Sequence, residues 1–297
     1  MKIFANGFWS EFTRGDKSPF INILSSCFNQ PIEFSSYNDS DILLESVFGP
    51  RTFVNDPKWK YTFLFIGEPN RRFPNLGSSN RLPSTFSMYS CILKGDTSRD
   101  NIICFPHFYY TLLSRVDRFN EVLTYTTTNI PTKDVCVIVS NNDNRFRSHV
   151  FDRIEHSGIR IDYAGGYKTN VPKLHADFCT LEFIHFVSKY KFIVALENTN
   201  EEEYITEKIL HGLLSKTIPI YWGTRNAFKY FNNARMLYIE DETDDAITAT
   251  IDTMKSILTD NSKYLEIVNR PVFAEGADSL PITLDIVVNG IKQVLKI

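Results

Sequence analysis

Residues Tyr190 to Asn226 read YKFIVALENTNEEEYITEKILHGLLSKTIPIYWGTRN. Phe192 to Leu196 is a short apolar run with β-branched residues, the length of one buried strand. The polar residues Glu197 to Glu203 follow at its carboxyl end. Ile209, Leu210, Leu213 and Leu214 then recur at helical spacing and mark one apolar face. Thr206 can cap that helix, with Glu207 and Lys208 in its first turn. Thr217 to Trp222 is a second apolar run, closed by Gly223. Strand, helix and strand in this order make a βαβ unit, which implies a parallel sheet.

The charges on this unit give the first functional expectation. A cation in the first turn of a helix opposes the helix dipole. Lys208 is therefore either a solvated surface lysine or the partner of an anion. Open α/β sheets bind phosphates at helix starts that follow a strand. Lys208 with free N–H groups suits a pyrophosphate, and Glu207 can accept hydrogen bonds from ribose hydroxyls. The competing reading is that Glu207 simply favours the helix start.

The chain has 297 residues, which allows roughly two domains. Its 43% hydrophobic content suffices for packed cores, and 24 Phe and 14 Tyr supply aromatic walls for cores or sugar-sized clefts. The net charge is −3, which gives no footprint for nucleic acid as a partner. No apolar run reaches the ~18 residues needed to span a bilayer, and the amino-terminal MKIFANGFWSEF has no sustained apolar core of a signal peptide. The expectation is a soluble, cytoplasmic protein. Cys27, Cys91, Cys104, Cys136 and Cys179 are scattered and form no CxxC pair, so reduced thiols are expected and zinc is not.

Along the chain, strands are expected at Lys2–Trp9, Glu33–Ser35, Asp41–Ser46 and Tyr61–Ile66, with a helix at Pro19–Phe28. Phe86–Leu93 and Asn101–Tyr110 are apolar segments without a clear type. The threonine-rich stretch before Asn129-Ile130-Pro131 reads as a linker. Beyond it, Val135–Ser140 and Ile159–Tyr163 read as strands, and Arg145–His156 and Leu181–Tyr190 as helices. Ala246–Leu258 and Pro281–Leu295 read as terminal helices. This alternation predicts an α/β chain with a doubly wound second half. Two domains are expected, residues 1–130 and 131–297, with the last helix able to pack back on the first.

Several residues have the right chemistry in the right place. Glu68 sits at the exit of a strongly apolar strand, where rigid backbone can hold a general base; the competing reading is a turn residue. Arg145 and Arg147 start a helix just after a strand, where an anion explains two cations; the alternative is solvent exposure. Glu197 and Asn198 end the focal strand, where Asn198 can cap a turn or bind a ligand hydroxyl. Other chemistries find no support. No GxGxxG follows a strand and no GxxxxGK[ST] is present. Asp39-Ser40-Asp41 is a formal DxD, but it precedes a strand. His175, His185 and His211 lack ligand spacing, and the acidic run Glu240 to Asp245 reads as a helix start.

With these residues in view, the sequence resembles the alpha-1,3-fucosyltransferases of bacteria and viruses. The resemblance is carried by Phe192…Glu197-Asn198-Thr199, by Tyr204-Ile205-Thr206-Glu207-Lys208-Ile209, and by Thr217-Ile218-Pro219-Ile220-Tyr221-Trp222-Gly223. Weaker echoes are Asp41 to Gly49 (DILLESVFG), Phe65-Ile66-Gly67-Glu68-Pro69-Asn70, where Pro69 replaces the family's Asn, and Val139-Ser140-Asn141 before the arginines. The resemblance implies two Rossmann-like domains facing across a cleft, the GT-B architecture. It implies GDP-fucose as donor substrate in the second half and an oligosaccharide acceptor in the first. It implies an inverting single displacement onto a hydroxyl, O3 of GlcNAc in lactosamine-type glycans, with no metal and no further cofactor strictly required. Lys208 and an arginine, Arg147 in preference to Arg145, then hold the pyrophosphate. Glu207 holds the ribose, Asn198 and Tyr204 lie against the donor, and Glu68 is the general base. Rival expectations are a GT-B transferase using another nucleotide-sugar, and a non-catalytic glycan-binding module that needs no base.

Overall fold

A computed structural model describes residues 1–8, 12–13, 18–48, 53–69, 86–89, 102–115, 123–140 and 144–297. Trp9, Gly49, Pro50, Asn70, residues 90–93, Asn101 and residues 141–143 of the expected elements lie outside these. The chain divides into two compact units. One comprises Met1–Arg115, Glu201–Tyr204 and Ile282–Ile297, the other Val116–Asn200 and Ile205–Pro281.

The first unit holds a six-stranded sheet in the order β2-β1-β3-β4-β5-β6. Its strands are β1 (Lys2–Asn6), β2 (Glu33–Phe34), β3 (Ile42–Ser46), β4 (Tyr61–Ile66), β5 (Phe86–Tyr89) and β6 (Ile102–Cys104). Every pairing is parallel. Helix Pro19–Phe28 begins with proline at its first positions, where no donor is lost, and ends at Asn29 in the left-handed region. The segment after Asn101, of unclear type in the sequence, splits into β6 and the helix His107–Arg115. The carboxyl-terminal helix Leu284–Leu295 belongs to this unit, and Cys27 Sγ lies 3.8 Å from its Val288 carbonyl.

The second unit holds β7 (Lys133–Val137), β8 (Ile161–Tyr163), β9 (Tyr190–Leu196), β10 (Ile218–Trp222) and β11 (Leu237–Tyr238), in the order β11-β10-β9-β7-β8. All of its ladders are parallel. Both faces are covered, so these strands read as continuous apolar runs instead of alternating ones. Val135, Val137, Phe192, Val194, Ile218 and Ile220 form one face. Against it pack Phe146, Val150, Phe151 and Ile154 of helix Arg145–His156, and Ile247, Ile251 and Met254 of helix Asp244–Thr259. Cys136 and Ile193 face the other way, towards Phe183 and Val187 of helix Leu181–Val187.

Some boundaries differ from the sequence reading. β7 starts at Lys133 and stops at Val137, and helix Leu181–Val187 stops short because Tyr190 already pairs with Lys133. A further helix, Asn261–Val268, was not foreseen; Asp260 caps it directly after the preceding helix ends. The threonine-rich stretch is tied into the second unit: Thr127 N donates to Asn269 Oδ1 and Asn269 Nδ2 donates back to the Thr127 carbonyl, both at 2.8 Å. Thr243 caps helix Asp244–Thr259, with Asp244 and Asp245 in its first turn, as the acidic run implied.

The focal helix runs Lys208–Leu214, and Ile209, Leu210, Leu213 and Leu214 are all buried in the core. Its Gly212 rests on the start of β10: an added Cβ would stand 2.6 Å from Pro219 Cγ and 2.9 Å from the Thr217 carbonyl oxygen. Gly212→Ala is therefore expected to lower stability by about 1–3 kcal/mol through overpacking, despite alanine's better helix propensity. Urea unfolding measures this, and an unchanged midpoint would contradict the packing.

Candidate functional site

The strand order of the second unit reverses between β7 and β9. From β7 the chain moves outward to β8 on one side and through β9, β10 and β11 on the other. A crevice opens at the carboxyl ends of strands where such a reversal occurs, and ligands of open α/β sheets bind there. Two loops leave this point. One runs from β7 to helix Arg145–His156, and the other leaves β9 through Glu197 and Asn198. Asn144 joins them. Its side-chain oxygen caps the helix by accepting from Phe146 N and Arg147 N, and its Nδ2 donates to the Asn198 carbonyl at 2.9 Å.

Arg147 is 4% exposed and donates from Nη1 to Asn198 Oδ1 at 2.7 Å. Arg145 is exposed. The apolar face of this helix explains the difference. Arg147 lies three and four residues before Val150 and Phe151, on the inner side, while Arg145 points away from that stripe.

The centre of the cluster is Glu197, which is wholly buried. Its backbone N donates to the Trp222 carbonyl at 2.8 Å, extending the β9–β10 ladder by one step. Its Oε1 accepts from Thr206 N at 2.7 Å, and its Oε2 accepts from Thr206 Oγ1 at 2.7 Å and from Lys208 Nζ at 3.3 Å. Gly223 makes room for it, since a Cβ there would stand 2.8 Å from Glu197 Cγ. Thr206 is thus not the helix cap that the sequence suggested. That position is held by Glu207, which makes no side-chain cap bond, and the Thr206 hydroxyl is turned to the carboxylate. Lys208 also donates to Thr206 Oγ1 at 3.0 Å and lies 3.9 Å from Glu207 Oε1. Its position is fixed by an anion of its own chain, an alternative absent from the choice between solvent and an external ligand.

Burial draws the Lys208 ammonium down, but Glu197 and Glu207 more than offset this and hold it above its ordinary value. Arg147 is close enough to oppose them. Burial pushes the Glu197 carboxyl up, against the pull of Lys208 and the Thr206 donors. Lys208 therefore stays charged across the neutral range, while its side chain keeps 19% exposure.

Arg147, Asn198, Glu207 and Lys208 are thus brought together. Tyr204 is 2% exposed and groups with the first unit, as does Glu68. Glu68 is half-buried just beyond the carboxyl end of β4. The first unit also reverses its strand order, between β1 and β3. At that edge Asn6 Nδ2 donates to Glu45 Oε1 at 3.1 Å, with Glu45 only 1% exposed. Sequence reasoning passed over Glu45; a lone acid inside ILLES was the available signal. In the DxD, Asp39 accepts from Ser36 Oγ in a turn. No group of three or more His, Cys, Asp or Glu side chains suited to a metal occurs among the described residues. Nor is any helix among them long and apolar enough to cross a membrane.

Comparison with known proteins bears out the resemblance carried by the focal segment. Residues 129–269 match the family model for the carboxyl-terminal part of glycosyltransferase family 10 (fucosyltransferase). A putative fucosyltransferase of Acanthamoeba polyphaga mimivirus is 38% identical over 90 residues, which is 30% of this chain and 15% of that protein. The alpha-(1,3)-fucosyltransferase FucT of Helicobacter pylori is 39% identical over 85 residues, 28% of this chain and 17% of that one. The matched stretches are therefore a small part of those relatives. A crystal structure of an alpha1,3-fucosyltransferase superposes over 100% of this chain and 90% of its own, with TM-score 0.77 and 19% identity. Another, solved with GDP-fucose, gives 0.71 at 17% identity and the same coverage. The α/β fold with parallel sheets is that of these GT-B proteins.

His211 supplies a pH test of this region. It packs on Phe178 and Phe183 with ring centroids 5.1 and 4.5 Å away, and its Nε2 has no hydrogen-bond partner among the described residues. Burial drives it down to about 4, with Glu207 raising and Lys208 lowering it by less. An unfolded histidine protonates near 6.5, so between pH 6.5 and 4 the unfolded chain binds more protons and folding weakens as pH falls. This one group accounts for about 3 kcal/mol across that window. Chemical denaturation at pH 7 and pH 4 should show that His211→Phe loses that much less than the parent; equal losses would contradict a neutral, buried imidazole.

Proposed function

We propose that this protein transfers L-fucose from GDP-fucose to a hydroxyl of an oligosaccharide acceptor by a single inverting displacement. The observation that carries this reading is the placement of Lys208 and Arg147 at the reversal of the second sheet, inside the segment that matches the fucosyltransferase family. A nucleoside diphosphate leaving group gains negative charge as its bond to the sugar breaks. Cations already fixed at that position stabilise the transition state more than the ground state and need no reorganisation. Glu197 supplies the fixing for Lys208, and Asn198 for Arg147.

In this reading Lys208 and Arg147 hold the pyrophosphate, with Arg147 offering the planar fork that suits phosphate oxygens. Glu207 accepts from the ribose hydroxyls, and Asn198 and Tyr204 lie against the donor. Residues 131–297 form the donor-binding part, with the last helix belonging to the first unit, and 1–130 the acceptor-binding part, with the stretch from Val116 belonging to the second unit; O3 of GlcNAc in a lactosamine-type glycan is the acceptor. Glu68 takes the acceptor proton as that oxygen attacks the anomeric carbon. Glu68 follows a rigid, fully paired strand, which supports this role by limiting how far the carboxylate can stray. The two cations supply the charge that a divalent ion supplies elsewhere, so the mechanism is complete without one.

Two substitutions test the reading. Lys208→Ala should weaken GDP binding by about 1.5–3 kcal/mol, roughly 10- to 150-fold, in isothermal calorimetry; an unaltered affinity removes Lys208 from the phosphate site. Glu68→Gln should abolish fucose transfer and leave GDP affinity within about twofold, because one proton acceptor is lost and no donor contact is. Undiminished turnover in that variant excludes Glu68 as the base.

A further inference from the structure

The opposite edge of the second sheet contains a charge arrangement that fucose transfer does not use. Arg235 closes the short turn Asn233–Arg235 just before β11, and Lys216 lies two residues before β10, so both stand at the amino-terminal ends of their strands. The Glu197–Lys208 centre lies at the carboxyl ends, about 16 Å away along the five residues of β10. Arg235 is 0% exposed, and its Nε, Nη1 and Nη2 all lack a hydrogen-bond partner among the described residues. Lys216 is 4% exposed and, among the described residues, donates only to the Leu123 carbonyl, at 2.8 Å, with its Nζ 4.3 Å from the centre of the Tyr125 ring.

Each cation feels the other and no carboxylate among the described residues. Burial, reinforced by the Arg235 charge, brings Lys216 down to about 7. Burial brings Arg235 down to about 10, opposed only by Tyr264 and Tyr125. Tyr125 and Tyr264 lie close to the pair, and the Tyr264 hydroxyl is already committed to the Lys216 carbonyl at 2.6 Å. Nearby Glu266 is paired with Arg270, whose Nη1 donates to the Ala234 carbonyl at 3.2 Å. The backbone at Lys216 is left-handed, with φ of 51°, an uncommon conformation for a side chain of this size.

A guanidinium taken out of water without a partner costs several kcal/mol, far more than neutral donors in the same place. A water molecule can satisfy one or two of the N–H groups but leaves the charge uncompensated. We propose that Arg235 and Lys216 hold a small inorganic anion, chloride under ordinary conditions, between the amino-terminal edges of β10 and β11. The burial of both cations favours a monatomic ion over phosphate or a carboxylate ligand, and neighbouring aromatic rings suit a weakly hydrated halide. The anion ties the turn before β11 to the start of β10 and so acts on the stability of this sheet edge.

Thermal unfolding of the whole chain tests this in sodium chloride against sodium gluconate at equal ionic strength, since gluconate is too large to enter. Wild type should gain about 2–4 °C in Tm in saturating chloride, and bromide should replace it. Arg235→Met should show no difference between the two salts. Equal Tm in both salts for wild type, or the same chloride gain in the variant, overturns the proposal. Should the variant fail to fold, wild-type crystals soaked in bromide decide: an anomalous peak within about 3.5 Å of the Arg235 guanidinium supports the site, and its absence there overturns it.

Discussion

The buried carboxylate of Glu197 is the constraint on which the second unit's edge depends. A carboxylate with no exposure is tolerated only when its lone pairs are taken up by good donors. Here a backbone amide, a hydroxyl and an ammonium supply them, all from Thr206 and Lys208. The consequence is mechanical. The loop after β9 is pinned at both ends, and the ammonium of Lys208 cannot swing into solvent without leaving a bare charge behind. Breaking such a pair costs about 3–5 kcal/mol, several times a surface ion pair. That cost keeps the Lys208 ammonium in place.

Topology decides what lies beside that group. In a parallel sheet covered on both faces, polar chemistry has no room within the layers and collects at strand ends. The reversal between β7 and β9 spreads two neighbouring loops apart, and Asn144 and Asn198 bridge them. Arg147 reaches the same point from a different helix than Lys208. Two cations on independent supports are what the proposed diphosphate site draws on. With Glu197 and Glu207 nearby, the cluster is close to neutral overall. In the proposed function, recognition rests on the geometry of donors more than on a strong positive field, in keeping with a chain whose net charge is −3.

Much of this was legible in the sequence, for identifiable reasons. Tyr61–Ile66, Pro19–Phe28 and Arg145–His156 fall where periodicity placed them, because one residue pattern dominated each. The focal βαβ unit was clear because two apolar runs flank one amphipathic face. Long-range pairing was not clear. Glu197 and Thr206 are nine residues apart, and no local rule brings them together. Thr206 therefore read as an ordinary cap, and Lys208 as a cation awaiting an outside anion. The helix Asn261–Val268 was missed because it follows its neighbour with only Asp260 between them. Glu45 was missed because the strand around it is otherwise apolar. The stripe that buries Arg147 and frees Arg145 was present in the sequence, since Phe146, Val150, Phe151 and Ile154 already define the inner face.

A crystal structure of this protein with GDP is the most direct examination of the central claim. The diphosphate should lie at the carboxyl ends of β7 and β9, with oxygens about 3 Å from both Lys208 Nζ and the Arg147 guanidinium and with Glu197 still bonded to Thr206. A nucleotide bound elsewhere, or a diphosphate that touches neither cation, would contradict it.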